Sequence, residues 1–346
     1  MTNPPRPRPA PPGSPPAELV AREPFPGFGD RHGRYDAWLA RQGATWLVSE
    51  TGADLDIVVG KVSRDPSRVF EEVRTWPSLR RGFDHGFASP LADGGLAVTG
   101  AGAVTVYGAD GTIRWRYEHE PWGDEDRYGA CVPDGSGRLL LVTTPDPSAP
   151  PLSYDGDLCV ALDLSDGRPV LQAKLPSAGA GYVFQQSLTD PSHITLNAAQ
   201  GDTFYAFTIS VDDGSLGWEA AGVDDELFAG PPTSDATLML HVGGQWLSRY
   251  NVDGTEATAD AEAVLPEGMQ FVGFHPGFLD KDHVLAAIAE ENWAPASRHL
   301  LLDARTLVPV AEVDYPGTTF LDPLPLGDGT WLTVHDDIVH RWRTTV

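Results

Sequence analysis

A short apolar strand that runs through a tight turn into a second strand recurs along this chain. The plainest copy is GGLAVTGAGAVTVYGADGTIRWRYE, residues 94–118. A unit of this kind cannot bury its faces alone. Repetition therefore means stacked copies, and copies made of strands mean a radial array of small sheets.

Aligning the turns sets the register. YGADGTIRW around Gly111, LDLSDGRPVL around Gly167, SVDDGSLGW around Gly214 and YNVDGTEAT around Gly254 each put Asp and Gly at a hairpin. Glycine supplies a positive φ there, and aspartate supplies a side-chain acceptor. Four residues after each glycine stand Trp115, Leu171, Trp218 and Thr258. Two further copies replace the Asp-Gly: LLLDARTLVPVAEV has Ala304-Arg305, and DIVVGKVSRDPSRVFEEV has Asp65-Pro66. Upstream of the turns lie TWLVSE, GLAVTG, RLLLVTT, HITLNA, TLMLHV, HVLAAIA and TWLTVH, near residues 46, 96, 139, 195, 238, 285 and 331. Seven strands spaced by about 47 residues suit units of four strands.

The pattern predicts an all-β fold: a seven-bladed β-propeller of four-stranded antiparallel blades, with six or eight blades also compatible. After TWLTVH only IVHRWRTTV follows, enough for a third strand. An unclosed ring would leave an exposed edge. The outer strand of the last blade is therefore expected from the N-terminus, from residues 18–25. Residues 1–17 hold eight prolines and read as a disordered tail, with 18–346 as a single propeller domain.

These units resemble the repeats of the PQQ-like and WD40-like propeller superfamily. LCVALDLSDGRPVLQAKL is similar to a PQQ-type repeat, and GFASPLADGGLAVTG to the opening of a WD40 blade. The resemblance implies the fold and carries little about function. Redox members of that superfamily use a quinone, a Ca²⁺ site and usually an adjacent-cysteine pair. No adjacent cysteines, D-x-[DN]-x-[DN]-G loop or Cys/His zinc spacing occurs here, so no cofactor or metal is expected.

Charge excludes more than any motif does. Forty-nine acids against 24 Lys and Arg leave −25, which repels a phosphate backbone and an anionic bilayer. Nucleic acid and membrane are not expected partners. The chain lacks an apolar leader and any 18-residue apolar run, and its two cysteines, Cys131 and Cys159, fall on non-adjacent strands of one blade. A cytoplasmic monomer with reduced thiols is expected.

Four polar or aromatic loop stretches carry the candidate site. Arg81 and His85 precede the second blade, and Trp122, Asp124 and Glu125 precede the third. Glu290, Glu291 and Trp293 follow a strand of the sixth blade, and His335, Asp336 and Asp337 turn the last. The expected use is binding. The tryptophans would anchor and the acids would select a cationic group on a protein partner, itself basic. The alternative is an enzyme (hydrolase, lyase or cyclase) acting on a small molecule at the channel mouth, with His335, Asp336 and Glu291 in proton transfer. Other histidines, among them His241, His275, His283 and His340, are scattered over several blades. No G-x-S-x-G, H-E-x-x-H or phosphate loop is present, which favours the binding reading.

Overall fold

The computed structural model describes residues 13–25, 46–51, 56–76, 87–122, 129–148, 156–177, 181–187, 189–200, 203–212, 214–222, 225–233, 235–254, 256–291, 297–316, 322–335 and 337–344. The chain is a seven-bladed β-propeller of small antiparallel sheets. The first blade has strands Trp46–Thr51, Asp56–Val62 and Phe70–Trp76. The second is built from Ala88–Pro90, Leu96–Thr99, Ala103–Tyr107 and Ile113–Glu118, and the third from Cys131–Pro133, Leu139–Thr144, Leu158–Asp163 and Pro169–Lys174. Gly181–Gln186, Ile194–Gln200, Thr203–Asp212 and Ser215–Ala220 form the fourth. Glu226–Phe228, Ala236–His241, Trp246–Asn251 and Glu256–Asp260 form the fifth, followed by one helical turn, Ala261–Val264, capped by the Asp260 carboxylate. The sixth has Gln270–Phe278, His283–Ala289, Arg298–Asp303 and Pro309–Glu312.

The seventh blade closes as expected. Leu324–Pro325, Thr330–His335 and Ile338–Thr344 supply three strands, and Ala17–Pro24 pairs antiparallel with the last of them. Glu18 faces Arg343 and takes its guanidinium in two hydrogen bonds of 2.8 Å. The boundary of the tail needs correction. Pro15 and Ala17 already pair with Asp314, whose N–H donates to Pro15 O at 3.0 Å while its carbonyl accepts from Ala17 N at 2.6 Å.

Burial follows strand position. Middle strands such as Leu96–Thr99 and Ala103–Tyr107 are buried throughout, and His283–Ala289 is buried after its first residue. Outer strands such as Pro169–Lys174 alternate between half-buried and exposed. A sheet packed on both faces needs apolar residues at successive positions. That is why the middle strands stand out in the sequence as unbroken apolar runs.

The chain forms two compact units, Met1–Tyr35 with Val62–Glu72 and Phe228–Val346, and Asp36–Lys61 with Val73–Leu227. In the first, Leu238, Leu247, Phe271, Val284, Ile288 and Leu302 form the main core. The fully buried Arg341 reaches from the last strand to the turn of the first blade. Its Nη1 donates to the carbonyls of Ser63, Asp65 and Arg68 at 2.6, 3.2 and 3.0 Å. Its Nε donates to Thr330 Oγ1 and its Nη2 to Asp328. In the second unit, Leu141, Cys159, Tyr182, Leu196 and Phe207 share a core with Trp122. Two strand tryptophans, Trp115 and Trp218, pack within this unit. Trp115 donates to Leu164 O at 2.9 Å and lies against Gly167, where a Cβ would stand 2.5 Å from the ring. Trp218 donates to Lys174 O at 2.7 Å. Cys131 and Cys159 are thiols buried on the first and third strands of the third blade, and burial pushes the Cys159 thiol up to about 12.

Candidate functional site

Strand order divides each blade into two ends. Turns joining first to second and third to fourth strands lie at one end; loops joining second to third strands, and blade to blade, lie at the other. The candidate residues that are described belong to the second kind of loop. Glu290 and Glu291 leave the second strand of the sixth blade, exposed and without an ion pair or hydrogen bond among the described residues. His335 is exposed at the end of Thr330–His335, and Asp337, at φ +59, turns the chain into the next strand. Its carbonyl accepts from Phe25 N at 2.6 Å. Trp122 is 7% exposed. Its ring lies 6.3 Å from that of His119 and 6.2 Å from that of Tyr182, so the structure places it in the packed interior of its unit. Arg81, His85, Asp124, Glu125, Trp293 and Asp336 lie outside the described residues.

At the opposite end, aspartates are consumed by the turns. In Asp65-Pro66-Ser67, Asp110-Gly111-Thr112, Asp163-Leu164-Ser165, Asp190-Pro191-Ser192 and Asp328-Gly329-Thr330, the carboxylate accepts from the backbone N–H and the hydroxyl two residues on. Asp303 does the same for Thr306, three residues on. These are Asx-type turns, in which the side chain replaces a backbone acceptor. Hydroxyl and backbone hydrogen bonds hold Asp65, Asp110, Asp163, Asp190 and Asp303 below the usual carboxylate range. The charge of these aspartates is therefore tied into the turns.

Two histidine arrangements in the first unit escaped the sequence reading. His299 is wholly buried, with Ser297 Oγ 3.3 Å from Nε2 and the Tyr315 hydroxyl 2.5 Å from Nδ1. Trp331 donates to the same hydroxyl at 2.7 Å. Burial pushes the Tyr315 hydroxyl well above its ordinary value, and the Trp331 N–H offsets this only in part. Beside them Arg298 grips Glu312 through two guanidinium nitrogens. The second arrangement is half open. Asp322 accepts from the backbone N–H of His275 at 3.0 Å, and its other oxygen lies 2.7 Å from ring Nδ1. Gly273, Pro276 and Gly277 inside an otherwise apolar strand were the available signal, because they mark a bulge. Among the described residues, no three His, Cys, Asp or Glu side chains come together as a metal site.

No family model and no curated protein matches the chain. Solved structures do. One chain of the mitotic checkpoint complex is similar over 99% of this chain and 96% of its own length, at 14% identity and a TM-score of 0.56. A prolyl endopeptidase is similar over 87% of this chain at 10% identity and a TM-score of 0.55; this chain spans 45% of its length. BamB from Moraxella catarrhalis aligns over 94% of this chain and 99% of its own, at 12% identity and a TM-score of 0.44. At such identities the likeness is one of fold, and the chain is a β-propeller.

Proposed function

We propose that this propeller is a binding protein that docks a basic protein partner through its acidic loops. One observation carries the reading. The turn aspartates at one end of the blades are tied into their own backbone, whereas Glu290 and Glu291, among the loops of the other end, are exposed and free to meet a cation. The net charge of −25 supports attraction of a basic surface at long range. The similar chain from the mitotic checkpoint complex belongs to a multi-protein assembly, in keeping with a propeller that binds proteins. The proposal places this binding in the cytoplasm, by a monomer.

A hexa-arginine peptide tests the reading. Its affinity should fall several-fold between about 50 and 200 mM salt, as the screening length shortens to below about 10 Å. Replacing Glu290 and Glu291 together by lysine should weaken it further. Binding unaffected by salt and by the double replacement would overturn the assignment.

A further inference from the structure

We propose that ring Nε2 of His275 accepts a hydrogen bond from a cationic N–H donor, a guanidinium or ammonium, on the docked partner. This rests on the acidic docking reading and adds where a basic side chain is held. The strand Gln270–Phe278 gives up regular pairing to build the place. Its register with the neighbouring strand shifts between Val272 and Gly277, and His275 sits in the bulge. Gly273 adopts φ +83, and a Cβ there would stand 2.5 Å from Asp322 Oδ1. Asp322 is itself left-handed at φ +68, a conformation that residues other than glycine rarely adopt. Pro276 is carried over Gly230, where a Cβ would stand 2.6 Å from its carbonyl oxygen. Lost pairing and left-handed backbone at two residues accompany one side-chain pair, His275 on Asp322.

That pair fixes the chemistry of the ring. A carboxylate only accepts, so Nδ1 carries the proton, and in the neutral form of the ring the lone pair lies at Nε2. The carboxylate behind Nδ1 also makes Nε2 a better acceptor. Nε2 makes no hydrogen bond among the described residues, and the side chain is 23% exposed. The buried His299 differs, since polar atoms lie against both of its ring nitrogens. The Asp280–His283 pair differs too, because it spans a single turn at 3.1 and 3.3 Å and closes its own hairpin. In a chain carrying −25 the matching donor is a cation, since anions are repelled.

The full chain with ¹⁵N-labelled histidine, titrated with the hexa-arginine peptide, tests this. The Nε2 resonance of His275 should move in step with binding. His275→Ala should weaken the peptide about tenfold, the value of one hydrogen bond to a charged group. His275→Gln, whose amide oxygen still accepts, should lose less. Peptide binding with an unmoved His275 resonance and unchanged affinity in His275→Ala would overturn this inference and leave acidic docking standing. No peptide binding at low salt would overturn both.

Discussion

Arg341 shows how one side chain can tie the last strand of a chain to a turn near its start. An uncompensated buried guanidinium would be costly, yet every nitrogen of this one donates, three of the bonds going to carbonyls of a turn some 270 residues away in sequence. A planar fork with fixed donors suits such a cradle, and an ammonium does not. Arg341→Met should cost about 3 kcal/mol or more, because it strands the Ser63, Asp65 and Arg68 carbonyls. Arg341→Lys should recover only part of that. Urea unfolding midpoints measure both, and a methionine variant as stable as the parent would refute the role. Nothing local announces this residue. IVHRWRTTV reads as an alternating strand, and arginine there looks as exposed as Arg343, which does lie outside, on Glu18. Three of the partners of Arg341 are remote backbone carbonyls, which leave no trace in the sequence. The same holds for His275, whose Asp322 lies 47 residues on.

At the scale of the element, the sequence was most informative about turns and middle strands. Gly111, Gly167, Gly214 and Gly254 all take positive φ, from +75 to +90, as the hairpins required. The chemistry of the turn was only half visible. At Gly167 the neighbouring Asp166 bonds Arg168 N, whereas Asp163, three residues earlier, clips Ser165. These clips have a pH signature. Their folded-state values lie below the ordinary 3.8, so the stability they lend is complete above pH 3.8 and drains away as pH falls through the lowered values. Burial also depresses His119, His193 and His340 below 6.5. Their contribution is whole above 6.5 and is lost as pH falls through the depressed values. Unfolding midpoints should therefore decline in two stages, one starting below pH 6.5 and a second below 3.8. His119→Gln should flatten the first stage and leave the second. A midpoint constant from pH 7 to 4 would contradict this.

For the molecule as a whole, closure is the decisive contact. The outer strand of the seventh blade was readable because IVHRWRTTV leaves a sheet one strand short, and Ala17–Pro24 fills it. Removing residues 1–24 should expose the edge of Ile338–Thr344 and yield a protein that melts lower and aggregates, whereas removing 1–12 should leave melting unchanged. Light scattering during a thermal ramp separates the two, and equal behaviour would show that the strand is dispensable. The same pairing bears on biosynthesis. Residues 17–24 leave the ribosome more than 300 residues ahead of their partners at 338–344. At a few to about 20 residues per second, the N-terminal strand waits of the order of half a minute for its neighbour. Six sheets can pair locally as they emerge, but the seventh cannot. A nascent chain thus carries an unpaired strand until residues 338–344 emerge, and a run with charges at Glu18, Arg22 and Glu23 is suited to staying in water until its partner arrives.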